Sequence, residues 1–283
     1  MRELTAASTA RTAKINGHVV AYHEAGTGPL LLCIHGGAPG AYGWGNFGVV
    51  MAEFAKNWRT VIVDLPGYGN SEPIDLSAGR YTAYATTFAG LIAQLGADQA
   101  HILGMATGGA AGIALATKHP QTVGRLILVS SAGGLPLFTV MPSEGQKQIR
   151  EYYKGAGPSR ERMRAYLEMM LADSSLITDA MVEERYQASL GREPEVPAGK
   201  TEKSEEVWRD LNRIKAPTLV MWGRDNRIQG YDNALFMLNQ IPDVEVHLFG
   251  RTGLWIPFER PKAFCREVEG FLLERRSPDR AGL

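Results

Sequence analysis

Only two of the 283 residues are cysteines, and no apolar run approaches the roughly 20 residues that a bilayer-spanning helix needs. Cys33 lies within the apolar run 30–34 and Cys265 in a C-terminal helical pattern, which excludes a disulfide framework and a cysteine metal site. Neither sign of charge is in excess, because 30 Lys and Arg residues balance 30 Asp and Glu residues. This balance excludes the strong fields typical of proteins that bind nucleic acid or membrane surfaces.

Targeting and cofactor motifs are missing as well. The first residues are polar and contain no apolar signal-peptide core, so we expect a cytoplasmic protein. The glycine-rich turns match neither the G-x-G-x-x-G fingerprint of dinucleotide-binding proteins nor the P-loop. We therefore predict no metal and no other cofactor. The expected partner is a small molecule, not nucleic acid or a membrane.

Apolar, β-branched runs alternate with helical patterns along most of the chain. This alternation predicts an α/β fold with a mostly parallel central sheet covered by helices on both faces. The predicted strands are 19–22, 30–34, 60–63, 101–103, 126–129, 218–222 and 244–249, and helices are predicted at 83–95, 108–118, 232–240 and 262–274.

One region breaks the alternation, because residues from about 141 to 207 show no strand pattern. Charged helical patterns cover 159–171 and 179–190, and a stretch rich in Pro, Gly and Lys follows at 193–203. We therefore predict a core made of residues 1–140 and 208–283, with residues 141–207 inserted as a helical lid. Residues 276–283 are expected to fray.

The segment Gly104-Met105-Ala106-Thr107-Gly108 follows a predicted strand and opens a helical pattern of small residues. This is the context of a G-x-S-x-G nucleophile elbow, where a sharp turn exposes a reactive serine. The central residue here is Ala106, and its methyl group cannot attack a carbonyl.

A second glycine-rich turn begins at His35, directly after the strand 30–34. Active sites of open α/β sheets lie at the carboxyl ends of the strands, so this turn is expected to meet the elbow. The N–H groups of Gly37 and Thr107 would then form an oxyanion hole, which needs only backbone geometry. Alternatively, the glycines serve only the conformation of a tight turn.

Asp225 follows the strand 218–222 and falls where chain order places the acid of a Ser…Asp…His triad. The loop after the last strand, where the histidine is expected, has Leu254 and no histidine. Three roles for Asp225 stay open: bonding to backbone N–H groups, pairing with Arg227, and acting as a base itself. All six histidines lie elsewhere, at His18, His23, His35, His101, His119 and His247.

Taken in order, these segments resemble the meta-cleavage product hydrolases, which hydrolyse a carbon–carbon bond in 2-hydroxy-6-oxo-dienoates. The resemblance runs almost end to end and implies the α/β-hydrolase fold and a homo-oligomer. It rests on residues 35–47 (HGGAPGAYGWGNF), 64–71 (DLPGYGNS), 104–109, 141–145 (MPSEG), 175–178 (SLIT) and 222–227.

The resemblance implies binding roles for several residues. Gly37 and Thr107 match the oxyanion-hole donors, and Gly36 belongs to the same substrate-binding turn. Asn46 matches a polar residue near the enol and carboxylate end of the substrate, and Arg185 matches an arginine that contacts the dienoate. Alternatively, Arg185 is a solvated helix residue and Asn46 a helix or turn residue.

The same resemblance places Ala106 at the nucleophile position and Leu254 at the general-base position. Met105 stands where the family usually has asparagine. Trp255 matches the tryptophan that follows the catalytic histidine; alternatively, it is a core residue, which its neighbour Leu254 favours.

Three hypotheses about function follow. A serine hydrolase without its triad keeps only about 10³–10⁴-fold catalysis over water, which excludes efficient acyl transfer through Ala106. The first hypothesis is a non-hydrolytic enzyme that polarises a conjugated keto or enol carboxylate and promotes cyclisation or rearrangement, tautomerisation, or decarboxylation. The second is a catalytically dead, ligand-binding pseudoenzyme. The third is an inactivated meta-cleavage product hydrolase.

Overall fold

One eight-stranded sheet runs through the computed structural model, which describes residues 4–190 and 205–274. In chain order the strands are β1 (Ala10–Ile15), β2 (His18–Ala25), β3 (Leu30–Ile34), β4 (Arg59–Val63), β5 (Ala100–Met105), β6 (Val123–Val129), β7 (Thr218–Gly223) and β8 (Val244–Phe249). In space they follow the order β1-β2-β4-β3-β5-β6-β7-β8. The β1–β2 and β2–β4 pairs are antiparallel and the remaining pairs are parallel, which confirms the predicted fold class.

Strand β1 is absent from the predicted strands. It forms an edge of the sheet and most of its residues are exposed, so it carries no apolar run. The two-residue turn Asn16-Gly17 joins it to β2, and both residues have positive φ angles, of 50° and 91°. Asn-Gly is the turn sequence that most strongly indicates a hairpin, so this dipeptide could have revealed the strand.

The helices lie on both sides of the sheet and in the connection between β6 and β7. Helix α2 is absent from the predicted helices because three of its first six residues are glycines, which are weak helix formers. The four predicted core helices are present with small shifts at their ends. In chain order the helices are α1 (Ala6–Thr9), α2 (Gly43–Phe54), α3 (Arg80–Gln94), α4 (Thr107–Lys118), α5 (Glu144–Glu151), α6 (Arg160–Met170), α7 (Asp179–Ser189), α8 (Asp232–Gln240), α9 (Ile256–Glu259) and α10 (Pro261–Leu273).

Strand β3 shows how the sheet divides the core into two layers. All five of its residues are buried, and successive side chains point to opposite faces. Leu32 packs into the cluster with α3 and α4, whereas Cys33 packs into the cluster with α2 and α10. Cys33 and Cys265 are both buried free thiols.

Between β6 and β7 the chain leaves the sheet and forms α5, α6 and α7, here called the helical insertion. The apolar side of α6, which includes Met163 and Leu167, is buried in the same cluster as α2 and α10. The division into a core and a lid at residues 141 and 207 stays a prediction. The stretch 193–203 and the C-terminal residues 276–283 lie outside the described residues. In the ranges that are described, no helix is long and apolar enough to cross a membrane.

Candidate active site

A strained turn joins β5 to α4, with Ala106 at its tip. Ala106 has φ 47° and ψ −115°, a conformation that costs a non-glycine residue on the order of 1–3 kcal/mol. Backbone hydrogen bonds hold it: the Ala106 N–H donates to Val129 O (3.1 Å), and the Ala106 carbonyl accepts from Ala132 N (2.9 Å). This strand–turn–helix geometry is that of a nucleophile elbow, but the side chain at its tip is a methyl group.

The glycine-rich turn after β3 packs against this elbow, as expected from the strand order. A Cβ on Gly36 would lie 3.2 Å from the Ala106 Cβ, and one on Gly37 would lie 2.8 Å from the Thr107 Oγ1. The glycines are therefore needed for close approach. The N–H groups of Gly37 and Thr107 have no hydrogen-bond acceptor among the described residues.

His35 fixes the start of this turn and does not face a ligand. Its ring is buried, with Nδ1 2.6 Å from Gly36 O, and its Nε2 accepts from Leu65 N (2.9 Å). The ring therefore carries its proton on Nδ1 and is neutral. Burial lowers the pKa of His35 to about 4, which keeps it neutral at physiological pH.

A cavity of about 200 Å³ lies between the elbow, the glycine-rich turn and the helical insertion. Its wall contains eight residues named from the sequence: Gly36, Gly37, Asn46, Met105, Ala106, Thr107, Arg185 and Leu254. It also contains residues that the sequence did not single out: Ala38, Ala41, Ala132, Gln146, Ile149, Tyr166, Met170, Ile228 and Gln229.

Arg185, on α7, is only 4% exposed, so it is not a solvated helix residue. Its guanidinium donates to Asn46 Oδ1 (3.0 Å), Gly40 O (3.2 Å) and Gly45 O (2.6 Å). The neighbouring acid Glu184 bonds to the Tyr42 hydroxyl instead. The pKa of Arg185 is lowered by burial, and no described carboxylate forms an ion pair with it.

Trp255 lies behind Arg185 and is not part of the cavity wall. The Arg185 guanidinium sits 4.5 Å from the centre of the Trp255 ring. The indole N–H donates to Asn46 O (2.9 Å), and the ring stacks on Phe258 at 4.5 Å. Trp255 therefore supports the arginine by a cation–π contact and is buried in the core, as its interpretation as a core residue predicts, whereas a substrate-binding role for it stays a prediction.

Asp225 is not part of the cavity wall either. Its half-exposed carboxylate accepts from Arg224 Nε (2.9 Å) and Nη2 (3.2 Å), and this pair lowers its pKa. Backbone groups of Arg251 and Thr252 lower this pKa further. The prediction that Asp225 pairs with Arg227 is wrong, because Arg227 donates to the Glu168 carbonyl of the helical insertion. A carboxylate with a lowered pKa is a poor base, so the geometry fits the hydrogen-bonding role.

Leu254 is buried in the cavity wall on the loop after β8. Its N–H donates to Met170 O (2.8 Å). Glu259 ties the same loop to the helical insertion by accepting from Gly253 N and Ala172 N, each at 2.8 Å. Burial raises the pKa of Glu259. No histidine among residues 4–190 and 205–274 is in the wall of this cavity.

Gln146 and Gln229 are the polar wall residues, besides the Tyr166 hydroxyl, that sequence reasoning missed. Gln229 follows β7 at the carboxyl end of the sheet, so the rule that placed Asp225 could also have placed it. Gln146 lies in the first turn of α5, where no sequence pattern points toward the cavity. In the described part of the chain, no group of three or more His, Cys, Asp or Glu side chains could hold a metal ion.

Comparison with known proteins identifies relatives across nearly the whole chain. The 2-hydroxy-6-oxononadienedioate/2-hydroxy-6-oxononatrienedioate hydrolase of Comamonas testosteroni is 34% identical over 96% of this chain and 99% of its own. The 2-hydroxy-6-oxo-6-phenylhexa-2,4-dienoate hydrolase of Burkholderia cepacia is 35% identical over the same shares. Both names describe dienoate hydrolases, so they favour the third hypothesis, an inactivated meta-cleavage product hydrolase, over the non-hydrolytic enzyme and the pseudoenzyme.

A solved structure shows similarity to the same group of hydrolases. A serine-to-alanine mutant of the meta-cleavage product hydrolase CumD from Pseudomonas fluorescens IP01, complexed with acetates, superposes with a TM-score of 0.80. It is 26% identical, and the match covers 94% of this chain and 98% of that one. The profile that describes the alpha/beta hydrolase family matches residues 31–267. This chain therefore belongs to the alpha/beta hydrolase family.

Proposed function

We propose that this protein binds a conjugated keto or enol carboxylate of the meta-cleavage-product class without hydrolysing it, as an inactivated member of that group of hydrolases. One observation carries the proposal: the buried Arg185 guanidinium lies in the cavity wall and forms no ion pair with a described carboxylate. A buried charge without a counterion is unfavourable. A ligand carboxylate would supply the missing charge and accept charge-assisted N–H bonds.

Loss of hydrolysis follows from the side chains around the elbow. Ala106 has no reactive atom, and Leu254 cannot take a proton. Asp225 is ionised and held by Arg224, so it is a poor replacement for the missing imidazole. The Gly37 and Thr107 N–H groups support ligand binding by donating to a carbonyl, but they provide no nucleophile.

A non-hydrolytic intramolecular step is the second candidate function. The observation that favours it is the pair of N–H groups on Gly37 and Thr107, which have no acceptor among the described residues and flank an apolar wall. Such a site could polarise a carbonyl and promote rearrangement, tautomerisation or decarboxylation. If Gly37→Pro and Arg185→Ala both left the conversion rate unchanged, this candidate would be excluded.

The test uses 2-hydroxy-6-oxo-6-phenylhexa-2,4-dienoate, followed by its absorbance and by chromatography of the products. We expect saturable one-to-one binding to the wild-type protein and no release of benzoate beyond the residual rate of a scaffold without its triad, about 10³–10⁴-fold over water. A folded protein that fails to bind the dienoate, or that releases benzoate faster than this residual rate, would contradict the proposal. Loss of the dienoate without benzoate would favour the intramolecular step.

A further inference from the structure

Two side-chain amides in the cavity wall have no part in the proposed carboxylate binding. Gln146 lies on α5 and Gln229 on the loop after β7. The two elements are in contact, because the Gly145 N–H donates to Arg227 O (3.3 Å) and a Cβ on Gly145 would lie 2.5 Å from Ile228 Cγ1. One side of the cavity is therefore built from these neighbouring segments.

Neither amide has a hydrogen-bond partner among the residues that the structure describes. The Gln229 Oε1 is buried and accepts no hydrogen bond from any described residue. The Gln146 side chain forms no hydrogen bond there either, although its backbone N–H bonds to Ser143 Oγ (3.2 Å). Buried polar groups are nearly always paired, and an unpaired one is destabilising. This argument applies to the Gln229 oxygen, whereas the Gln146 side chain is only half-buried. A buried oxygen kept unpaired in a residue of the cavity wall indicates a ligand group that pairs with it, and the neighbouring Gln146 amide is available to the same group.

These amides are separate from the Arg185 group. Arg185 bonds to Asn46 and to carbonyls near the start of α2, and it shares no hydrogen bond with either glutamine. The rest of the wall includes the apolar side chains Met105 and Leu254. The cavity thus has one cationic region and one neutral amide region, on different elements.

We infer that the ligand carries, away from its carboxylate, a neutral group that both donates and accepts hydrogen bonds, such as a hydroxyl, which Gln146 and Gln229 bind. This inference rests on the proposed function. An amide donates through Nε2 and accepts through Oε1, so a hydroxyl satisfies it in either orientation. A phenyl ring would leave both amides unpaired. An ionised carboxylate could only accept, and would leave the buried Gln229 oxygen without a donor.

The test compares ligands that differ by one hydroxyl. The probes are 2-hydroxy-6-oxo-6-phenylhexa-2,4-dienoate and its 3- and 4-hydroxyphenyl analogues, and the dissociation constant of each is measured by titration. For the wild-type protein we expect the better hydroxyphenyl analogue to bind about tenfold more tightly than the phenyl compound. In a Gln146→Leu/Gln229→Leu variant this preference should vanish. Gln94→Leu, on the exposed side of α3, is the matched control and should keep it.

The outcomes separate this inference from the proposed function. If the phenyl and hydroxyphenyl compounds bind the wild-type protein equally, the inference is overturned while carboxylate binding stands. A preference that survives in the double leucine variant overturns it as well. If no probe binds the folded wild-type protein, the proposed function fails and the inference fails with it. If the double variant does not fold, the dissociation constants of the phenyl and hydroxyphenyl compounds for the wild-type protein decide whether the inference holds.

Discussion

Arg185 links the cavity to the core behind it. Asn46 and two backbone carbonyls accept its N–H groups, and the Trp255 ring lies against its face. These contacts hold the guanidinium in one orientation, and no carboxylate in residues 4–190 and 205–274 forms an ion pair with it. A fixed arginine of this kind loses little conformational freedom when it binds a carboxylate. Little of the binding free energy is therefore spent on ordering its side chain.

Replacing Arg185 by methionine should weaken dienoate binding about 10- to 100-fold, because hydrogen bonds to charged groups contribute about 1.5–3 kcal/mol. Methionine keeps an apolar stem beside Trp255 and removes only the charge and its donors. Equilibrium titration with the phenyl dienoate measures the change. Arg164→Met, at an exposed arginine on α6, is the control and should bind as the wild type does. Unchanged affinity in Arg185→Met would exclude the proposed carboxylate contact.

Ala106 stores strain that a glycine would relieve. Its φ of 47° is unfavourable for any residue with a Cβ, whereas glycine adopts it freely. We expect Ala106→Gly to leave the free energy of unfolding unchanged or raise it by about 1 kcal/mol. The same substitution at Ala110, inside α4, should lower it by about 1 kcal/mol or more. Urea unfolding of both variants is the measurement, and equal destabilisation by the two would argue against strain at the elbow.

At the scale of elements, His35 holds the carboxyl ends of β3 and β4 together. Its ring bonds to the backbone at Gly36, after β3, and at Leu65, after β4. The glycine-rich turn therefore starts from a fixed point and reaches the elbow in one conformation. Because Nε2 accepts a hydrogen bond from Leu65 N, protonation of the ring would break this connection.

Acid should therefore destabilise the protein through His35. Burial lowers its folded-state pKa to about 4, below the usual 6.5, so the unfolded chain binds this proton more readily. The stabilising contribution is complete above pH 6.5 and is lost as the pH falls toward 4, by up to about 3 kcal/mol. His101, whose pKa burial also lowers to about 4, acts in the same direction. Nitrogen NMR of the His35 ring is the direct check, and titration near pH 6.5 would contradict it.

Elements differ in how far the sequence could predict them. Buried parallel strands such as β3 are continuous apolar runs, so their unbroken hydrophobicity and their length identify them in the sequence. The edge strand β1 has no such run, and α2 begins with glycines that suit close packing more than helix formation. The partner of Asp225 was missed for a different reason. Choosing Arg224 over Arg227 depends on side-chain directions in a loop, which spacing does not reveal.

At the scale of the whole molecule, the cavity exists because separate parts of the chain meet there. The strand ends contribute the elbow, the glycine-rich turn and the loops after β7 and β8, α2 contributes Asn46, and the helical insertion contributes Arg185 and Gln146. The strand-end residues could be predicted from sheet topology alone. The residues of the insertion could not, because only the family resemblance suggested Arg185 and nothing suggested Gln146. The lid boundaries, the homo-oligomer and the cytoplasmic location stay predictions.

Restoring the two missing groups tests most directly whether this is a hydrolase scaffold that binds but does not cleave. In an Ala106→Ser/Leu254→His variant, the absorbance of the phenyl dienoate is followed in a stopped-flow instrument while benzoate is measured in the same samples. We predict that the wild type and the variant both bind the dienoate and that only the variant releases benzoate faster than the residual rate of a scaffold without its triad. Ala106→Ser alone should stay far slower, since it lacks a base. Benzoate release by the wild type above this residual rate, or a folded double variant that binds but never cleaves, would contradict the proposal.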